Sequence, residues 1–185
     1  SAHTEAKSVV NGIGLVRLMG RHAGFIAAGA SLASTDTHFV LVPEVRFALD
    51  GAQGLLNAIE KRLSTHQHAV IAVAEGAGQD LFGNHTQTRD ESGNLKAQDI
   101  GILLRDRITT HFATRNIPVV MKYIDPSYMI RSVPANTQDR LLSDRMARFA
   151  AHAAMAGRTD MLIGHWNNAF VHIPIPTAIH KRKRM

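Results

Sequence analysis

The chain has 185 residues, 45% hydrophobic and 19% charged, enough to bury a core in one large domain or one and a half small ones. That balance excludes disorder as the default, and the lack of cysteine excludes disulfides and thiolate chemistry. No apolar run approaches ~20 residues and the polar start His3-Thr4-Glu5 is no secretion signal, so the expectation is a cytoplasmic protein without a membrane partner. The net charge of +6 falls to +2 without Lys181-Arg182-Lys183-Arg184, so basicity belongs mainly to the terminus and is weak ground for a nucleic-acid partner.

In chain order, residues 12–19 read as a strand and the alanine-rich residues 24–34 as a closely packed helix. Residues 39–42 form a short strand stopped by Pro43, and residues 51–63 carry Leu55, Leu56, Ile59 and Leu63 at helical spacing. Residues 69–74 are an unbroken apolar run, as expected of a strand buried on both faces. A polar, glycine-punctuated stretch over residues 75–98 is long for a simple connection and predicts a hairpin or functional loop. Residues 99–114 read as a helix capped by Asp99, with Ile100, Leu103, Leu104 and Ile108 on one face. A strand over 117–121, a helix over 136–156 stopped by Gly157, and strands over 161–165 and 169–173 complete the order. Alternating strands and helices of these lengths predict βαβ units and a largely parallel α/β sheet.

Ligands of open α/β sheets sit at the carboxyl edges of the strands. Three segments are expected there: Met19-Gly20-Arg21, Glu75-Gly76, and Lys122 through Arg131. Gly20 lets backbone approach a ligand and Arg21 offers a forked donor for phosphate oxygens; the alternative is a tight turn with a solvated arginine. Glu75 could accept hydrogen bonds from sugar hydroxyls or help hold a metal, or it could simply form a salt bridge at the sheet edge. Lys122, Tyr128 and Arg131 place three phosphate-compatible donors within ten residues; the alternative is a loop pinned by ion pairs.

Other chemistry is missing from the pattern. Gly12, Gly14 and Gly20 do not meet the dinucleotide fingerprint, and there is no Walker lysine and no Gly-x-Ser-x-Gly. The 11 histidines include no HExxH pair, so no metal site built from protein ligands alone is expected.

The segments Gly12-Ile-Gly-Leu-Val-Arg-Leu-Met-Gly-Arg-His-Ala-Gly-Phe-Ile-Ala27, Leu41-Val-Pro-Glu44, Val73-Ala-Glu-Gly-Ala-Gly-Gln-Asp80, Lys122-Tyr-Ile-Asp-Pro-Ser-Tyr-Met-Ile-Arg131 and Ala151-His-Ala-Ala-Met-Ala-Gly157 resemble the 6-phosphofructokinase family, in order and nearly end to end. The form is most similar to the plant and trypanosomatid ATP-dependent type and its bacterial relatives. The resemblance implies a three-layer αβα sandwich with a mostly parallel sheet, incomplete at both ends. Residues 1–134 would form a sugar-phosphate-binding lobe and residues 135–185 a partial return into a nucleotide-side domain.

It also implies roles. Met19, Gly20 and Arg21 would line a fructose 6-phosphate site, with Arg21 also stabilising the transferred phosphoryl group. Glu75 would bind sugar hydroxyls. Tyr128 and Arg131 would grip the 6-phosphate, and Lys122 would do so in the manner of a cation that often works across a subunit interface. Tyr128 and Lys122 stand where the common bacterial form has histidine and arginine, and Gly12 stands where it has a further arginine. The implied reaction is the glycolytic in-line transfer of a phosphoryl group from ATP, with Mg2+, to the sugar's 1-hydroxyl in a homo-oligomer. The family's Thr-Ile-Asp-Asn-Asp base segment and Gly-Gly-Asp-Gly-Thr donor loop do not occur in these residues, which leaves pyrophosphate open as a donor. The alternative is a non-catalytic sugar-phosphate-binding or structural lobe.

Overall fold

A computed structural model describes residues 2–83 and 98–185. In chain order it contains α1 (Ala2–Lys7), β1 (Gly12–Leu18), α2 (Phe25–Ala33), β2 (Phe39–Leu41), α3 (Leu55–His66) and β3 (His68–Ala74). A 3-10 turn (Gln79–Phe82) follows, then α4 (Ile100–Thr114), β4 (Val120–Ile124), α5 (Ser127–Ser132), α6 (Thr137–Met155), β5 (Met161–Trp166), β6 (Ala169–Pro174) and α7 (Ile175–Ile179). The hairpin or loop expected over 75–98 falls mostly on residues 84–97, outside the described residues. The chain divides into two compact units, Ser1–Arg131 with Arg184–Met185, and Ser132–Lys183.

The first unit is built on a fully parallel sheet in the order β2-β3-β1-β4. Alternation sorts its side chains. Odd-numbered Ile13, Leu15, Ile71 and Val73 face Leu56, Ile59, Ile100, Leu104, Ile108 and Phe112 of α3 and α4. Even-numbered Leu18, Ala72 and Ala74 face Ala27 of α2 and Val42. Gly12 and Gly14 admit α1 on this second face, since a Cβ would stand 2.0 Å and 2.9 Å from the Ala6 and Ala2 carbonyl oxygens. The sheet is thus covered on both faces, which explains why β3 is buried from Ala69 to Ala74 and reads as a continuous apolar run. Each fully buried Ile or Phe of this core contributes roughly 1.5–3 kcal/mol of transfer free energy.

Four expectations shift. The strand read over 117–121 lies at Val120–Ile124, because Pro118 has no N–H for the ladder and stands ahead of the strand. The alanine-rich α2 is not closely packed: only Ala27 is buried and Leu32 is 89% exposed, because a stripe of small residues covers the sheet at one point only. Helix α1, too short to carry an apolar stripe, and α5, which starts just after Pro126, have no counterpart among the expected elements.

The second unit consists of α6, whose start is capped by Asn136 accepting from the Asp139 N–H at 2.9 Å, and an antiparallel β5–β6 hairpin followed by α7. Asn167 and Asn168 both have positive φ, the conformation that a two-residue hairpin turn demands. Phe149 of α6 stacks on Phe170 of β6 with ring centroids 4.9 Å apart.

Candidate functional site

Strand β1 delivers the chain to α2 on one face of the sheet, whereas its neighbour β3 delivers it to α4 on the other. Adjacent strands that part in this way leave a crevice at their carboxyl ends. The backbone there continues the ladder beyond the strands: the Glu75 N–H donates to the Leu18 carbonyl at 2.9 Å, and the Gly76 N–H to Gly20 at 3.1 Å. Two glycines make this closeness possible. Gly20 has φ +143°, and a Cβ on Gly76 would stand 1.9 Å from the Arg21 carbonyl oxygen. Glu44 fixes the far end of the turn, both carboxylate oxygens accepting from the Gly24 N–H at 3.0 Å. The turn carrying Met19, Gly20 and Arg21 is therefore clamped at both ends.

Within the crevice the Arg21 Nε lies 3.8 Å from Glu75 Oε1, so two of the expected site residues meet. Glu75 Oε2 faces a residue that sequence reasoning missed: Arg17, whose Nη2 lies 3.5 Å away. The Arg17 Nη1 donates to Asp125 Oδ2 at 2.6 Å, and its Nε stands 3.6 Å from Asp99 Oδ1, an ion-pair distance without a hydrogen bond. The Arg17 side chain is only 18% exposed. Burial alone would lower its pKa, but Asp99 and Asp125 outweigh that cost and hold the pKa above the ordinary arginine value.

Asp99 and Asp125 are themselves anchored. Asp99 caps α4, Oδ1 accepting from the Gly101 and Ile102 N–H groups at 2.9 and 3.2 Å, and receives the Tyr123 hydroxyl at 3.2 Å. Gly101 leaves the space that the Tyr123 ring fills. Burial, then the Asp99 carboxylate, pushes the Tyr123 pKa up to about 12, so the phenol stays a donor. Asp125 accepts from both the hydroxyl and the N–H of Ser127, at the start of α5. Partial burial works against its charge, but the Ser127 bonds and Arg17 together hold its carboxyl below the usual range.

The remaining expected residues divide. Tyr128 and Arg131 stand three apart on α5, hence on one side of the helix, and Tyr128 is 84% exposed. Lys122 is not after the strand, as expected, but inside β4 opposite Gly14, because the strand begins three residues late. It shares the Gly14 face and pairs with Glu5 of α1 at 3.9 Å. Arg17 was legible in principle, since a charged residue at the end of an otherwise apolar strand needs partners at a sheet edge. Its partners Asp99 and Asp125 are distant in sequence and gave no such signal.

A parallel α/β sheet with arginines paired to carboxylates at its carboxyl edge defines the structural class of the chain. Residues 1–154 match the phosphofructokinase family, and the chain belongs to it. It is 50% identical over 190 residues to an ATP-dependent 6-phosphofructokinase of Borreliella burgdorferi, covering 100% of this chain and 42% of that protein. It is 45% identical over 189 residues to ATP-dependent 6-phosphofructokinase 1 of Arabidopsis thaliana, covering 100% and 40%. Among solved structures, a pyrophosphate-dependent phosphofructokinase from Marinobacter aquaeolei superposes with a TM-score of 0.70 at 17% identity, covering 99% of this chain and 44% of that one; this likeness shows the fold alone. The chain thus spans about two fifths of the length of the curated relatives it matches.

Proposed function

We propose that this chain is the sugar-phosphate-binding portion of an ATP-dependent 6-phosphofructokinase, which transfers a phosphoryl group from ATP to the 1-hydroxyl of fructose 6-phosphate. The observation that carries the reading is Arg21 facing Glu75 across the carboxyl edge of the sheet, in a turn fixed by Gly20, Gly76 and Glu44. In this reading Met19, Gly20 and Arg21 line the sugar phosphate, and Arg21 also faces the group in transfer. Glu75 accepts from sugar hydroxyls, and Tyr128 and Arg131 hold the 6-phosphate from α5. Lys122, set apart on the α1 face, serves a neighbouring subunit's site in a homo-oligomer.

Residues 1–134 form the sugar-phosphate lobe and residues 135–185 return toward the nucleotide side. ATP is the preferred donor because the names of the curated relatives from Borreliella burgdorferi and Arabidopsis thaliana carry it. Mg2+, bound with ATP mainly by residues other than these, belongs to the same proposal. A cytoplasmic, glycolytic setting belongs to the same proposal. Among the described residues no helix is long and apolar enough to cross a membrane.

Residues 1–185 alone, given Mg2+, ATP and fructose 6-phosphate, turn over no substrate, as measured by coupled formation of fructose 1,6-bisphosphate. Robust turnover would refute the assignment of the base and donor loops to other residues. In the complete protein, Glu75→Gln raises KM for fructose 6-phosphate; an unchanged KM would refute the site.

A further inference from the structure

Arg17 carries more of this site than any role assigned so far accounts for. It sits on β1, which lies between β3 and β4, and in register it stands opposite Val73, two residues before Glu75. On its other side the β1–β4 register pairs Val16 with Ile124, which brings Asp125 level with Arg17. All three side chains share the face of Ile13 and Leu15. A guanidinium on the middle strand is therefore flanked by both functional loops, and it uses separate nitrogens for each: Nη2 toward Glu75, Nη1 toward Asp125 and Nε toward Asp99.

We propose that Arg17 is a positioning residue of the sugar-phosphate site, holding the Glu75 carboxylate on one side and, through Asp125, the helix start that presents Tyr128 and Arg131 on the other. The inference rests on the fructose 6-phosphate reading given above. Three features argue for this role over a simple stabilising ion pair. Glu75 has two cations, one on each oxygen: Arg17 faces Oε2 and Arg21 faces Oε1. Removing Arg17 lets the carboxylate turn wholly onto Arg21, so both a sugar-hydroxyl acceptor and the arginine that faces the phosphoryl group would lose their places. Asp125 divides its oxygens in the same way, Oδ2 to Arg17 and Oδ1 to Ser127 at the beginning of α5. The geometry also needs arginine. A lysine ammonium is a single point charge and cannot address three carboxylates from one fixed plane.

The test uses the complete protein that carries this chain, with fructose 6-phosphate as the varied substrate. Arg17→Lys should raise KM for fructose 6-phosphate by roughly 10- to 100-fold while kcat falls much less, the pattern of a misplaced binding group. On a Glu75→Gln background the same change should add less than it does alone, because Arg17 acts partly through Glu75 and partly through Asp125. Asp125→Asn, which keeps an acceptor for the Ser127 N–H, should raise KM several-fold, and it tests the bridge from the other end if Arg17→Lys does not fold. A merely structural arginine would lower the urea midpoint and the active fraction but leave KM unchanged, and that result overturns the proposal. Full additivity of Arg17→Lys with both Glu75→Gln and Asp125→Asn also overturns it. If Glu75→Gln itself leaves KM unchanged, the fructose 6-phosphate site is at fault rather than Arg17.

Discussion

At the carboxyl end of the sheet, Arg17 is surrounded by Glu75, Asp99 and Asp125, while at the amino end His3, His38 and His68 face one another with ring centroids 5.3–6.3 Å apart. Both clusters join residues remote in sequence across the same parallel strands. The first pairs a guanidinium with carboxylates, each held by a second contact. The second consists of groups that repel if they charge together. His38 is kept neutral: its Nδ1 accepts from the Val70 N–H at 2.8 Å, and burial, then the charge of Arg62 and the neighbouring imidazoles, lowers its pKa to about 4. Asp36, 3.2 Å from His3 Nδ1, is the carboxylate facing this group. A parallel sheet gathers its loops at both ends, and at the carboxyl end those loops pair fixed charges around a crevice.

The comparison can be broken most severely by Gly76→Ala. Its Cβ would meet the Arg21 backbone carbonyl, which cannot rotate away as a side chain could. A loss of about 3 kcal/mol in urea unfolding is expected, with the carboxyl end opened and the histidine cluster untouched. A loss below about 1 kcal/mol would mean that the two turns part without cost. Asp99→Ala should cost roughly 1–2 kcal/mol, since it removes the cap of α4 and the acceptor of Tyr123. The same experiment separates anchoring from charge: Asp99→Asn retains an acceptor and should recover most of the loss.

The smallest effect sharpens the other end. His38 has a folded pKa near 4 against an unfolded value of about 6.5. Between those values the unfolded chain binds the extra proton, so the contribution of His38 is fully present above about pH 6.5 and is lost as pH falls toward 4. Because the residue is partly exposed, the loss is on the order of 1 kcal/mol after solvent screening. His38→Asn keeps an acceptor for the Val70 N–H without the titration and should flatten unfolding free energy measured between pH 7 and 4. An unchanged pH slope in the variant would refute the assignment of the titration to His38.

Much of the fold was legible because the interior follows simple periods. The apolar run of β3, the leucine spacing of α3 and the Asp99 cap of α4 all depend on residues close together in the chain. The site was legible in part. Arg21 and Glu75 could be placed because each follows a strand whose end the sequence marks. Lys122 was misplaced because the apolar residues around Pro118 read as strand, whereas the missing N–H delays the ladder to Val120. Helix α5 was hidden by the same residue type, Pro126, which can end one element or begin another.

The sequence by itself determined the order of the strands and of the longer helices, the burial of the central sheet and the turns that carry Arg21 and Glu75, because hydrophobic period and turn chemistry act over a few residues. Only the tertiary structure decided which charges meet. Arg17, Glu75, Asp99 and Asp125 span more than one hundred positions, and their encounter depends on strand order β2-β3-β1-β4 and on register. Neither is written in any local segment, since pairing between strands is settled by the packing of both faces at once.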